Sequence, residues 1–464
     1  MKQLFLIVLY LSLPFSLFPQ NNAIIDGNWD GYIELDGQNL AISLTFNTFM
    51  GETDGAINIP QQSSFDMPVY IPFKTADSLI FTFETGSGPA FFRAALSDRS
   101  PEKISGHFQQ MDVKYPFTIN KKVIEPADSF ERHTEEDFII ETPSHVIAGS
   151  LVTPESYEDS TLVIFVSGSG TQTRNSPVAG FEIFKELSLQ LADNGYFSFR
   201  YDDRGTGGST GTTDATLPEL AEDLNRVASY FTDGDQTNRF SSVVYLGHSQ
   251  GGIVSIIAAE ESSPQQLILL STPAMPGDEV IEQQIRHISQ VQNIPEDVVE
   301  ENIEFQERVY EAARTGTGWD ELEKDIADRL HEQINELPEA QRRTLGNMDQ
   351  FIQAQVSRQL DGAKTQWFRS FIETDPRPVL AELQIPVLAL FGENDTEVLP
   401  EENRGEFNRY QNNVTTVTIS KANHLFQTSE SGMPGEYGRL DQEFTDGFIN
   451  EIIHFLNEGN GNDL

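Results

Sequence analysis

The 464-residue chain contains no cysteine, and this removes disulfides, thiol nucleophiles, zinc–thiolate centres and lipidated cysteines from its possible chemistry. What holds the fold must be packing. Positive charge is also scarce: 30 Lys and Arg stand against 72 Asp and Glu, a formal net charge of −42 at pH 7. Such a polyanion is repelled by phosphate backbones and anionic lipid, so no nucleic-acid partner is expected, and the acidity reads as a means of staying soluble, in brine included. Long apolar runs are missing beyond the first twenty residues, internal repeats are missing, and the polar tail Asn457 to Asp463 is the one low-complexity tract. No glycine-rich phosphate loop stands next to a lysine. Asp233-Gly234-Asp235 lacks the remaining ligands of a calcium loop and reads as a solvated turn, so neither cofactor nor metal is expected. Apolar residues still make up 38% of the chain and include 32 Phe, enough for two or three domains with cores of their own.

Residues 1–20 read as an export signal: Lys2 gives the positive start, and Leu4 to Phe18 give an apolar stretch too short to span a bilayer comfortably. An exported protein, periplasmic or extracellular, without a stable membrane anchor once the signal is removed, is expected. Residues 21–125 then carry short alternating segments, Tyr32 to Leu35, Leu40 to Phe46, Leu79 to Phe83 and Pro116 to Ile119, separated by Gly, Asp and Pro. This predicts a small all-β domain whose Trp29 and Phe residues form a core rather than a ligand platform.

From residue 126 strands alternate with helices, the pattern of a parallel sheet with crossovers. Asp137 to Glu141 and Val146 to Val152 read as a strand pair, and Leu162 to Val166 as a buried strand. A helix is expected over Phe181 to Asp193, stopped at Asn194-Gly195, and another opens at Thr216-Leu217-Pro218-Glu219 with a capping box. Residues 275–375 interrupt the sheet with helical periodicity alone, over Val280 to Ile288, Val298 to Ala313, Leu322 to Ile334 and Met348 to Leu360, and predict a cap over a pocket. Within it Trp367, Phe368 and Phe371 read first as cap core and second as pocket lining.

Gly247-His248-Ser249-Gln250-Gly251 follows the apolar strand Val243 to Leu246 and precedes a helix-like run. Small flanking residues permit a tight turn that lifts a serine hydroxyl above a sheet, and strand–turn–helix is the context this motif requires. Ser249 is therefore the expected nucleophile, with His248 beside it as pocket wall. A serine hydroxyl needs a base, and of the eight histidines only His424 lies in a loop after the final sheet strand. His107 and His133 precede the sheet, His145 lies in its first strand pair, His287 and His331 lie in the cap, and His454 lies in a terminal helix. Asp395, at the end of the strand Val387 to Phe391, is the expected carboxylate partner, with Glu393 and Glu397 as neighbours that spacing alone does not eliminate. Ser167-Gly168-Ser169-Gly170 follows the strand Leu162 to Val166, where the backbone N–H of Ser169, together with that of Gln250, would form an oxyanion hole.

The ordered landmarks Val166 to Gly170, Tyr201 to Ser209, Gly247 to Gly251, Gly392 to Asp395 and Asn423-His424 resemble an α/β-hydrolase, and more closely the secreted bacterial serine esterases with an N-terminal β domain and a helical cap. The resemblance covers residues 130 to 456 and implies a mostly parallel sheet flanked by helices. It also implies that Asp202, Asp203 and Arg204 buttress loops rather than react. Relatives often carry Glu or Met where this chain has Gln250, a change that leaves the N–H donor intact. The expected activity is hydrolysis of a small-molecule carboxyl ester through a Ser249–His424–Asp395 triad. The alternatives are a serine peptidase of the aminopeptidase or prolyl oligopeptidase type, an acyltransferase, and a non-catalytic binding protein.

Overall fold

The computed structural model describes Ile25 and residues 27 to 459 apart from short stretches, the longest being 123–132 and 337–347. The expected signal and residues 234–238 of the acidic turn lie outside the described residues.

Eight strands come first: β1 (Gly27–Leu35), β2 (Gln38–Phe49), β3 (Glu52–Ile59), β4 (Ser64–Lys74), β5 (Ser78–Thr85), β6 (Gly88–Ala95), β7 (Lys103–Gln110) and β8 (Val113–Lys121). Each runs antiparallel to the next, and β8 pairs back onto β1, closing a barrel. Eight strands enclose a space that side chains just fill, and Phe46, Phe81, Phe92 and Phe117 fill it here, with Phe81 stacked on Phe92 at 4.4 Å between ring centroids. The buried Trp29 indole N–H donates to the Ile25 carbonyl at 2.7 Å. These aromatics are core, as their alternation predicts.

The second sheet is built from β9 (His133–Glu141), β10 (Val146–Pro154), β11 (Thr161–Val166), β14 (Phe197–Tyr201), β15 (Ser242–His248), β16 (Gln266–Leu270), β17 (Val387–Gly392) and β18 (Val414–Ile419). Its order is β18-β17-β16-β15-β11-β14-β10-β9, parallel except where β10 runs against both neighbours. The small strands β12 (Pro177–Val178) and β13 (Phe181–Glu182) pair with each other beside it. Along the chain the helices are α1 (Ile183–Asp193), α2 (Leu217–Thr232), α3 (Gln250–Ser262), α4 (Gly277–Val291), α5 (Glu296–Thr315), α6 (Trp319–Glu336), α7 (Met348–Leu360), α8 (Gln366–Glu373), α9 (Arg377–Glu382), α10 (Pro400–Phe407) and α11 (Phe448–Gly459).

Helices α1 and α11 cover one face of the sheet, and α2 and α3 cover the other, where one apolar core runs on without a break into the cap helices. The helix expected from Phe181 starts two residues later because Phe181 and Glu182 are taken up by the β12–β13 hairpin. It stops as expected at Gly195, whose φ of +83° suits a residue without Cβ. At α2 the Thr216 hydroxyl accepts from the Glu219 N–H while the Glu219 carboxylate accepts from the Thr216 N–H, the reciprocal cap that the sequence predicts. Strand β2 packs the barrel against β12 and against a 3-10 helix at Pro434–Arg439.

Candidate active site

Ser249 occupies the single residue between β15 and α3, with φ +54° and ψ −125°. An L-residue adopts that backbone only when its surroundings impose it. Its N–H donates to the Leu270 carbonyl of β16 at 2.8 Å. The glycines around it are required by close approach: a Cβ on Gly251 would stand 2.2 Å from the Val166 carbonyl oxygen of β11, and one on Gly247 2.3 Å from that of Gly251. The helix thus presses onto two strands, and the serine is left at the crest of the turn.

His424 lies in the loop after β18, and its Nδ1 stands 2.8 Å from Asp395 Oδ2 just after β17. Nδ1 therefore donates to the carboxylate, which directs Nε2 away from it. The other Asp395 oxygen accepts the N–H groups of Glu397 and Val398 at 2.8 and 2.9 Å, so the carboxylate is fixed on both sides. Of the three acidic residues here, Asp395 is the one that hydrogen-bonds His424. Glu393 is exposed and accepts from the Ser420 hydroxyl and the Lys421 N–H, whereas Glu397 accepts from the Tyr437 hydroxyl at 2.6 Å. Burial works against a charged His424, but the charges of Asp395 and Glu397 outweigh it and hold the imidazole above the ordinary histidine value. Burial also pushes the Glu397 carboxyl up to about 7, against the pull of His424.

His248 is more than a wall. Burial lowers it to about 3, so the ring is neutral, and its Nε2–H donates to the His424 carbonyl at 2.9 Å with the two rings 4.8 Å apart. His248 thereby ties the loop that carries His424 to the end of β15, one residue before Ser249. No spacing or composition signal in the sequence announces that contact, which spans 176 positions.

The loop after β11 lies against the same turn: a Cβ on Gly168 would be 3.4 Å from the Ser249 Cβ and from His248 Nδ1. Asp203 clamps both ends of this loop, accepting from the Ser167 hydroxyl at 2.6 Å and from the Gln172 N–H at 2.7 Å. Its burial raises its carboxyl to about 7. The Ser169 hydroxyl is buried with no hydrogen-bond partner among the described residues. Gln250 is the first residue of α3, where a helix leaves N–H groups without an intrahelical acceptor. Asp202 pairs with Arg174 through both carboxylate oxygens, and Arg204 pairs with Asp223. All three acidic and basic residues of that stretch brace loops, which agrees with their expected structural role.

From the cap, the Trp367 indole N–H donates to Gln250 Oε1 at 3.1 Å. Beside it lies a cavity of about 40 Å³ whose lining includes Gly170, Thr171, Asp203, Thr213, Asp214 and Trp367. The structure thus brings Ser249, His424, Asp395, Ser169 and Gln250 to one end of the sheet, at the carboxyl ends of β11, β15, β17 and β18.

The family model described as alpha/beta hydrolase fold matches residues 161–431. Esterase EstD of Thermotoga maritima is 23% identical over 356 residues, which cover 74% of this chain and 72% of that protein. Among solved structures, the Pyrococcus furiosus esterase Pf2001 is similar at 14% identity and a TM-score of 0.43, over 73% of this chain and 95% of that one. A thermophilic esterase from Thermogutta terrifontis in a malate-bound form is similar at 21% identity and a TM-score of 0.39, over 70% of this chain and 99% of that one.

Proposed function

Because the chain belongs to the α/β-hydrolase fold family, we propose that it is an exported serine carboxyl-ester hydrolase working through an acyl-enzyme intermediate. The observation that carries this reading is the Asp395–His424 pair held by His248 against the strained turn that presents Ser249. In this reading Ser249 Oγ attacks the acyl carbonyl as His424 Nε2 takes its proton, and the resulting imidazolium is stabilised by Asp395. The N–H groups of Ser169 and Gln250 hold the oxyanion, each donor contributing about 2.7–4 kcal/mol to the transition state. His424 returns the proton to the departing alcohol, and water activated by the same histidine then releases the acid. An ester rather than an amide is favoured because the relative from Thermotoga maritima is named an esterase. Export rests on the leader read in residues 1–20.

The test compares p-nitrophenyl esters with aminoacyl p-nitroanilides, using folded Ser249→Ala as the blank. Ester release that falls by roughly 10⁴-fold or more in the variant is the expected result. Turnover of anilides alone would move the assignment to a peptidase, and equal rates in both proteins would overturn the role of Ser249.

A further inference from the structure

Helix α8 reaches the residue after Ser249 through the Trp367 indole. Two further hydrogen bonds tie it to the hydrolase body: the Trp367 backbone N–H donates to Asp214 Oδ1, and the Leu217 N–H donates to the Ser370 hydroxyl, both at 2.9 Å. Its start is fixed by Thr365, whose hydroxyl accepts from the Phe368 N–H. The Trp367 ring is buried and stacks on Phe371 with centroids 5.5 Å apart and planes 9° from parallel. With its backbone, ring face and indole N–H all engaged, this side chain has one position.

That position borders the cavity of about 40 Å³. Its lining includes Gly170, which follows Ser169, and Trp367, which holds Gln250. The cavity is thus bounded by the neighbours of both oxyanion donors. At about 40 Å³ it is small, which suits a short chain rather than a long one. Thr171 and Thr213 line it as well.

We propose that this cavity receives the acyl chain of the ester, and that Trp367, as a large side chain of its lining, determines specificity by limiting it to short chains, while its indole N–H positions Gln250. This rests on the ester-hydrolase reading above. The two roles separate by substitution. Trp367→Phe keeps a ring in the cavity lining but leaves the buried Gln250 Oε1 without its donor, so kcat falls while the preferred chain length stays. Trp367→Ala removes the largest side chain of the lining, so longer chains enter. Thr213→Leu adds bulk to the same lining, so butyrate is lost relative to acetate.

The experiment measures kcat and KM on p-nitrophenyl acetate, butyrate, hexanoate and octanoate for the wild type and these three variants. Wild type is expected to favour acetate or butyrate, and Trp367→Ala to raise the octanoate-to-butyrate ratio of kcat/KM by at least about tenfold. A wild-type optimum at octanoate overturns the proposal, as does a folded Trp367→Ala with an unchanged profile. If Trp367→Ala does not fold, Thr213→Leu decides: an unchanged acetate-to-butyrate ratio overturns the proposal. Labelling with diethyl p-nitrophenyl phosphate, read by mass spectrometry at Ser249, separates the two claims. Labelled Ser249 with a failed chain-length result leaves the hydrolase reading standing and sinks the role of Trp367, whereas no label at Ser249 sinks both.

Discussion

Two carboxylates act on His424, and one of them is its hydrogen-bond partner. Asp395 fixes the tautomer through Nδ1, whereas Glu397 is held by Tyr437 and contributes charge. The other titratable neighbour, His248, stays neutral. In the proposed mechanism His424 is the base, and a base works only when unprotonated, so on that proposal the acid limb of kcat/KM follows the His424 ionisation in the free enzyme. Glu397→Gln removes an anion that favours the imidazolium, lowers the histidine's pKa, and should move that limb to lower pH by roughly one unit. The pH profile of kcat/KM checks this, and a shift to higher pH would contradict it. Chain order and the strand-then-loop context were enough to single out Ser249 and His424 in the sequence as candidates, and the structure places Ser249 in the turn after β15 and His424 in the loop after β18. Spacing could not separate Asp395 from Glu393 and Glu397, because the three stand within five positions and only side-chain direction distinguishes them. The contact of His248 with the His424 carbonyl was illegible for a different reason: it joins distant segments without any local pattern.

At the scale of elements, what was legible is what repeats. The four longer cap helices declared themselves by periodicity, and the buried strands β11, β15, β16 and β17 by unbroken apolar runs. Helix α8 did not, since eight residues make about two turns, and its aromatics were read one by one. In the barrel, β1, β2, β5 and β8 were visible, but β4 was hidden by two prolines and a register shift between Tyr70 and Phe73. Strand β7 was interrupted by Gly106, where a Cβ would meet the Arg93 carbonyl at 2.1 Å. The packing of α3 gives a test of its own. A Cβ on Gly252 would stand 1.9 Å from Thr272 Oγ1, whereas one on Gly405 of α10 meets nothing within 4 Å. Gly252→Ala should therefore cost about 1–3 kcal/mol through overpacking, and Gly405→Ala should gain about 0.5–1 kcal/mol through helix propensity. Thermal or urea unfolding of the two variants checks the contrast; a Gly252→Ala protein as stable as wild type would contradict the close-packed turn.

On the scale of the whole molecule, the barrel, the sheet and the cap converge on the same loops. Strand β2 packs on the 3-10 helix Pro434–Arg439, whose buried Tyr437 donates to Glu397. The Glu397 carbonyl in turn accepts from Gln284 of the cap helix α4 at 2.5 Å. The cap thus touches the segment that presents Asp395 directly, the barrel reaches it only through the 3-10 helix, and the cap core is continuous with that of the sheet. The net charge of −42 belongs to this scale as well and bears on solubility and partners rather than on fold. The central claim is that these parts serve a covalent step at Ser249, and it is tested most directly by trapping the intermediate. The protein is mixed with p-nitrophenyl acetate, quenched in acid and digested, and the peptides are read by mass spectrometry. The account predicts one acetyl group on the peptide containing Ser249, absent from Ser249→Ala. Acetylation at another residue, or sustained turnover with Ser249 replaced, would contradict it.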